Sequence, residues 1–506
     1  APTPSISPRP FLGGSTSATN SSPSSSRFGD RQLSSMEQHF LVLTYPLQGH
    51  INPALHLARR LARVAGARIT FSTALSGHRR MFPSSADGEV DDGLISYVPH
   101  SDGYDDGYNP DVDDIKDQWL RTRSVGSKTL SAVIRSLEER GRPVTCVIYT
   151  LLLSWAADVA HEHGLPSVLY CIQPATVFAL YYHYFHGYDG LIASHRQDPL
   201  FQMNLPGLPP FRICDLPSFL RITSPDDPYF ILIEMFQETF DVLDGEEARS
   251  TARVLANTFE ELESDALVAS GKMKLIPIGP TVPSALLEGT EGARGTGSTG
   301  VDLFKLDEKQ YMEWLDSKPE KSVVYVSFGS LAVIKKRQAE EIVRGLKESG
   351  RPYLWVLKKE NRRELEGEVE VEEGGGMVVE WCSQVRVLSH PAVGCFVTHC
   401  GWNSTVESMV CGVPMVAVPQ WSDQSTNARL MELWGTGVRG ELDGEGVLEG
   451  AELSRCVEIV MGEGETRKEM RRRAEMWKEK AREAVSEGGS SDRNLRAFVE
   501  EIASLK

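Results

Sequence analysis

No apolar run in this sequence approaches the roughly 18 residues that a membrane-spanning helix requires, which excludes an integral membrane protein. Cysteine is sparse: eight in 506 residues, at 146, 171, 214, 382, 395, 400, 411 and 456, with no C-x-x-C pair. That spacing excludes a disulfide framework and a structural zinc site, and reads as the reduced thiols of a cytosolic protein. Positive charge is in deficit, 53 Lys and Arg against 70 Asp and Glu, a net of −17. A non-specific nucleic-acid binder is therefore not expected. No G-x-G-x-x-G with an acid about twenty residues further on follows the first strand-like run, which argues against a nicotinamide-dependent reductase.

Residues 1–35 are poor in large apolar and charged side chains. They hold eleven Ser and five Pro, with Arg9, Arg27, Asp30 and Arg31 as the charges, so the acidity lies in the rest of the chain. Such a segment cannot offset its ordering entropy and is expected to be disordered. Met36 stands directly before a strand-like run and suggests a native start. The segment then reads as an upstream extension. A plastid transit peptide, Ser-rich and acid-poor, is the alternative and would move the protein from the cytoplasm to the plastid.

From residue 39 the chain alternates between two periodicities. Strand-like runs at His39–Tyr45, Arg68–Thr73, Leu94–Val98, Val144–Tyr149, Ser167–Cys171 and Val254–Asn257 are separated by helical periodicity, the first helix spanning Asn52 to about Val64 after a Gln48-Gly49-His50 turn. A second series runs through Ser322–Phe328, Tyr353–Leu357, Met377–Val379, Gly394–Thr398 and Met415–Val418, with a helix at Arg337–Glu348. Short apolar strands between helices predict parallel sheets covered on both faces. The expected class is α/β with two doubly wound Rossmann-like domains, at 36–280 and 301–485, joined by a Gly/Thr/Ser/Pro-rich linker at 281–300. Asn361–Gly376, mostly Glu and Gly, reads as a solvated loop. The charged helical stretch from Thr466 to Leu505 breaks at Gly488-Gly489, and residues 486–506 are expected to cross back to the first domain. Ligands of such sheets sit beyond the carboxyl ends of the strands, here in a cleft between domains.

The densest chemistry lies in WCSQVRVLSHPAVGCFVTHCGWNSTVESMVCGVPMVAVPQWSDQ, the 44 residues from Trp381 to Gln424. A buried strand ends at Thr398, His399-Cys400-Gly401-Trp402 forms a turn, and Asn403 or Ser404 caps the next helix. Helix N-termini present unpaired N–H groups and a favourable dipole to anions, so this is a phosphate site, with His399, Asn403 and Ser404 adding donors. Glu407, one turn on, suits a ribose diol. Trp381 offers a face to a base, a stack worth about 1–3 kcal/mol. Each element alone has a plainer reading: a Gly turn occurs in every Rossmann-like unit, and a lone Trp or His is commonly structural. His399 and Cys400 lack a second pair at metal-ligand spacing.

As a whole, however, the 44 residues resemble, at full length and without a gap, the nucleotide-sugar signature box of the plant UDP-dependent glycosyltransferases. The similarity extends over essentially all of 39–506, including the Tyr45-Pro46-Leu47-Gln48-Gly49-His50-Ile51-Asn52-Pro53 turn. It implies the two-domain GT-B fold and UDP-glucose as co-substrate, with no cofactor and no metal. It assigns Trp381 to the uracil, Gln384 to uracil and ribose, and Glu407 to the ribose hydroxyls. His399, Asn403 and Ser404 take the diphosphate with Ser330 of the Phe328-Gly329-Ser330 turn, and Trp402, Asp423 and Gln424 take the sugar. The terminal Gln resembles that of glucose-using members. His50 becomes the base, since an imidazole of pKa about 6.5 can accept a proton from an acceptor hydroxyl, which then displaces UDP with inversion.

One position departs from the family. Where many members carry an Asp after the Val144–Tyr149 strand to orient the His, this chain has Thr150, which supplies no charge. Either Asp102, Asp105 or Asp106 substitutes, or the acceptor is acidic enough to need little help; a carboxylic acid is already ionised at neutral pH. Ser101–Gly107, Cys146–Leu153 and Asp215-Leu216-Pro217-Ser218-Phe219-Leu220 resemble the group containing anthocyanin 5-O-glucosyltransferases, whose relatives also make glucosyl esters of hormones and apocarotenoids. The expected activity is O-glucosylation of a flavonoid or anthocyanin. Ester formation on a carboxylic acid is the alternative, and a non-catalytic UDP-sugar sensor is the alternative of another class. Asp111-Val112-Asp113 fits the Asp-x-Asp of metal-dependent transferases, but it follows Pro110 and precedes a helix, so it reads as a solvated helix start. The expected partners are a small-molecule acceptor and UDP-glucose, with no nucleic acid or integral membrane contact, on a monomer.

Overall fold

The computed structural model describes residues 38–85, 87–109, 112–248, 252–271, 273–287, 308–330, 332–358, 361 and 375–505. The Ser/Pro-rich segment, Met36, residues 288–300 of the expected linker, Asp111 and nearly all of the Glu/Gly loop lie outside them.

Sixteen short strands form two principal sheets and one hairpin among the described residues. In chain order the first sheet contains β1 (His39–Thr44), β2 (Arg68–Thr73), β3 (Val90–Asp91), β4 (Ser96–Tyr97), β5 (Cys146–Thr150) and β6 (Ser167–Cys171). A hairpin, β7 (Gln202–Met203) and β8 (Phe211–Arg212), intervenes before β9 (Arg253–Ala256) and β10 (Lys274–Pro277) complete it. The second sheet is β11 (Val323–Ser327), β12 (Tyr353–Val356), β13 (Met377–Val379), β14 (Val393–Thr398), β15 (Met415–Ala417) and β16 (Gly437–Arg439). The spatial orders are β10-β9-β6-β5-β1-β2-β4-β3 and β13-β12-β11-β14-β15-β16, parallel except for β3 against β4. Every residue of β1, β5, β11 and β14 is buried, which is why these runs read as continuous rather than alternating hydrophobics. The chain is thus α/β with two doubly wound sheets, the GT-B arrangement.

Among the parallel strands of each sheet the order reverses at one place, between β1 and β5 in the first and between β11 and β14 in the second. Crevices at such switch points are where doubly wound sheets hold ligands. His50 follows β1, Thr150 ends β5, Ser330 follows β11 and His399 follows β14, so both crevices are lined by residues singled out in the sequence.

Several expected boundaries move. The first helix spans Gln48–Ala65, so His50 lies in its first turn rather than in a turn before it. Gly49 and Pro53, both helix-disfavouring, hid that start; Pro53 sits inside the helix. The helix after β14 is Trp402–Cys411 with Gly401 as its N-cap, so Asn403 and Ser404 are first-turn residues and not the cap. The strand expected at Leu94–Val98 shrinks to Ser96–Tyr97, and β10 and β16, four and three residues long, carried no sequence signal. The last helix, Ser490–Ser504, lies on the first sheet: Phe498 packs on Phe40 at 6.0 Å between ring centroids, and Arg496 donates to the Val64 carbonyl at 3.0 Å.

Candidate active site

The part of the site expected to receive the nucleotide is built by β14 and the helix after it. Cys400 has φ 62°, a left-handed backbone that turns the chain sharply from the strand into the helix, and its N–H is held by Thr398 Oγ1 at 3.2 Å. Gly401 caps the helix without a side-chain hydrogen bond, so the first-turn N–H groups, beginning at Trp402, face outward without the intrahelical partners of later turns. His399 is wedged between two glycines. A Cβ on Gly329 would lie 2.7 Å from its ring, and one on Gly401 would lie 2.6 Å from its Nε2. The two turns, Phe328-Gly329-Ser330 and His399-Cys400-Gly401, can approach only because both positions are glycine. Burial pulls the His399 pKa from 6.5 down to about 4, so the ring is neutral at physiological pH. Behind Ser330, Lys358 donates Nζ to its backbone carbonyl.

Gln384, in a short helix shortly after Trp381, donates Nε2 to Ser404 Oγ at 2.9 Å and to Glu407 Oε2 at 2.7 Å, while Tyr325 Oη–H reaches its Oε1 at 3.4 Å. This network fixes Glu407 one turn along the helix from Asn403, as an i, i+4 pair requires. Gln384, Ser404 and Glu407 are therefore brought together on one side of the helix start, and Trp381 lies three residues before Gln384 in the chain.

Asp423 and Gln424 open the helix after β15. Asp423 is 7% exposed and accepts Asn427 Nδ2 at 2.7 Å. Burial raises its carboxyl above the usual range, opposed by hydrogen bonds from Asn427 and Gln173. Gln424 folds the turn by accepting the N–H groups of Gln420 at 2.8 Å and Trp421 at 3.1 Å through Oε1. Trp402, expected at the sugar, is packed inward through its ring. Its indole is 4% exposed and donates Nε1–H to the Asn257 carbonyl at 2.7 Å, so that group is committed to protein. Asn403 likewise donates Nδ2 to the Gly49 carbonyl at 2.9 Å. That contact ties the nucleotide-side helix to the turn carrying His50.

His50 Nδ1 lies 3.4 Å from Thr150 Oγ1, which also accepts the Tyr45 N–H at 3.3 Å. The ring of Tyr45 flanks the imidazole at 5.6 Å. No carboxylate pairs with His50 among the described residues, and burial alone lowers its pKa to about 4. The three candidate acids are occupied elsewhere. Asp102, 4% exposed, accepts Tyr104 N–H; Asp105 accepts Ser101 Oγ–H at 2.6 Å; Asp106 pairs with Arg79 at 2.8 Å on the surface. Asp113 accepts the Asn109 N–H at 2.8 Å, and the helix starts at Ile115 with Asp114 as its cap. Among the described residues no group of three His, Cys, Asp or Glu is placed to hold a metal ion, and no helix is long and apolar enough to cross a membrane. Sequence reasoning missed Asn257, Gln173 and Asn427. Each is a polar residue whose partner is fixed only by the packing of remote elements.

The family described as UDP-glucoronosyl and UDP-glucosyl transferase matches residues 298–483. Phloretin 4'-O-glucosyltransferase of Malus domestica is 48% identical over 93% of this chain and 99% of its own length. Crocetin glucosyltransferase, chloroplastic, of Gardenia jasminoides is 49% identical over 92% and 97%. Anthocyanidin 3-O-glucoside 5-O-glucosyltransferase 1 of Perilla frutescens is 46% identical over 92% and 99%. The crystal structure of Os79 from O. sativa in complex with UDP superposes with a TM-score of 0.77 at 32% identity, covering 92% of this chain and all of that one. With identity sustained over nearly the whole length, the chain belongs to the family of UDP-dependent glycosyltransferases.

Proposed function

We propose that this enzyme transfers glucose from UDP-glucose to an aromatic hydroxyl of a flavonoid or anthocyanin, with His50 as the base. The observation that carries the reading is the Asn403–Gly49 hydrogen bond, which sets the turn bearing His50 against the helix start that receives the diphosphate. Trp381 stacks on the uracil, and Gln384 and Glu407 take the ribose. The diphosphate is received by His399, by the helix N–H groups of Asn403 and Ser404, and by Ser330. Asp423, the Gln424 amide and the backbone N–H of Trp402 hold the sugar hydroxyls. The acceptor half comprises 36–280 and the donor half 301–485, acting as a monomer.

With Nδ1–H directed at Thr150, His50 Nε2 is the atom that takes the acceptor proton. The acceptor oxygen forms its bond to the anomeric carbon as the bond to the UDP oxygen breaks, inverting that carbon. Charge on departing UDP is met by the helix N-terminus and its oriented donors, the work a cation does in metal-dependent transferases. Activity therefore survives EDTA.

A second reading has its own support. A base held at about 4 and lacking a carboxylate suits an acceptor that is already acidic, and a relative is named for crocetin. Glucosyl-ester formation on a carboxylic acid requires no proton removal at neutral pH. Incubating the purified chain and its His50→Ala variant with UDP-glucose and a panel of phenolic and carboxylic acceptors separates the two. Loss of phenol glucosylation alone supports the first reading. Ester products without phenol products establish the second, and UDP binding without any turnover would leave only a sensor.

A further inference from the structure

The segment Asp215–Ser218 belongs to the first half of the chain, yet its main bonds run to the second. The Asp215 carboxylate is fully buried. It takes Arg212 Nε at 2.9 Å within its own turn and Arg439 Nη1 at 2.9 Å from the end of β16. Arg439 also donates to the Ser425 carbonyl, and Thr426 Oγ1 donates to the Asp215 carbonyl at 2.7 Å. Three residues on, the Ser218 N–H donates to the Ser422 carbonyl at 2.9 Å, and the Ser422 N–H donates back to Ser218 Oγ at 2.7 Å.

Ser422 has φ 59°, a left-handed conformation that a residue with a side chain adopts only where its surroundings hold it. Here both of its backbone polar groups are gripped by one residue of the opposite half. Ser422 is followed directly by Asp423 and Gln424. The bond pair therefore bears on the orientation of those two residues, while Gln384 and Glu407 are supported by contacts within their own half.

We propose that Ser218, with Asp215 beneath it, is a positioning residue that fixes the Ser422–Gln424 turn from the acceptor side, so that donor-sugar recognition depends on the two halves being docked. This rests on the reading of Asp423 and Gln424 as sugar-binding. UDP, which lacks the glucosyl group, does not engage the turn, and its affinity is independent of the latch. UDP-glucose does engage it, and so does discrimination against its C4 epimer, UDP-galactose.

Asp215→Asn would leave Arg212 and Arg439 without the charge of their shared buried carboxylate and endanger folding, so Ser218 is the position to vary. The full chain carrying Ser218→Ala, Ser218→Thr or Gln424→Ala is compared with wild type for kcat and KM with UDP-glucose and UDP-galactose, and for inhibition by UDP. Ser218→Ala loses one hydrogen bond, which predicts a roughly three- to tenfold fall in kcat/KM for UDP-glucose and a matching narrowing of the glucose/galactose ratio. UDP inhibition is unchanged, and Ser218→Thr, which keeps the oxygen, restores both parameters. Equal weakening of UDP inhibition in Ser218→Ala overturns the proposal, because that is general damage. Unchanged discrimination in Ser218→Ala beside lost discrimination in Gln424→Ala overturns the latch and leaves the sugar site standing. Unchanged discrimination in Gln424→Ala removes the sugar-site reading and the latch with it.

Discussion

Asn403 donates its side-chain amide to the carbonyl of Gly49 at 2.9 Å, a carbonyl whose usual helical donor is missing because the residue four positions on is Pro53. The proline thus creates the acceptor that a residue 354 positions away in sequence fills. One hydrogen bond of this kind contributes about 1 kcal/mol. Asn403→Ala is expected to lower kcat/KM with UDP-glucose about fivefold or more. Pro53→Ala, which returns an N–H to compete for Gly49, lowers it in the same direction while raising the melting temperature. Steady-state kinetics beside thermal unfolding check both; an unaltered kcat/KM in Asn403→Ala would break the link between this contact and turnover.

His50→Ala removes the proposed base without touching the uridine side, whose contacts run among Gln384, Ser404 and Glu407. General-base contributions are typically 10²–10⁴-fold, so phenol glucosylation is expected to fall by about that factor. UDP affinity measured by calorimetry stays within a few-fold. Full retained activity on a phenol would remove the base assignment.

The two halves of the site differed in how readable they were. The nucleotide half is one contiguous stretch, Trp381–Gln424, in which strand, turn and helix follow each other and each side chain has a local reason for its place. On the acceptor side His50 and Thr150 stood out as a pair, while Asp102, Asp105 and Asp106 could not be told apart as partners of His50. Asp215 finds Arg439 across 224 positions and Trp402 finds Asn257 across 145, pairings with no period or motif to announce them. The sheets were readable because buried parallel strands are continuous apolar runs. The start of the first helix was not, because Gly49 and Pro53 signal a break locally while tertiary packing of Ile51, Ala54, Leu55 and Leu57 overrides them. Intrinsic propensity is a weak prior wherever such an apolar face is buried.

Thr150→Asp supplies the missing carboxylate next to His50 Nδ1. Burial alone now holds the imidazole at about 4, and a neighbouring negative charge favours the protonated form, so its pKa rises. The base becomes stronger, and activity on phenols is expected to rise more than activity on carboxylic acids, which need no base. The pH profile moves with it. Wild type shows no acidic limb in kcat/KM between about pH 5 and 7, because the imidazole is already neutral there. The variant gains one, with activity lost as the pH falls through the raised pKa. Equal changes for both acceptor classes would remove the charge argument.

Two of the buried histidines outside the site, His56 and His100, are expected to make the fold acid-sensitive. His100, 4% exposed and paired with Ser72 Oγ at 3.0 Å, is pulled by burial from 6.5 to about 4, and His56, 8% exposed, to about 3 by burial and the nearby Arg59 charge. Unfolding returns both rings to water, where they bind protons near pH 6.5. Above that value neither state is protonated and the full stability is present. As the pH falls, the unfolded chain takes up protons that the folded one refuses, and stability is lost until the folded pKa is reached. For His100 the loss between pH 6.5 and 4 amounts to about 3 kcal/mol at 1.4 kcal/mol per unit. His100→Gln keeps a polar partner for Ser72 but cannot titrate, so its urea midpoint should drop less than that of wild type between pH 7 and 4.5. Parallel curves for the two proteins would show that the imidazole is charged inside the fold, against its burial beside Trp155.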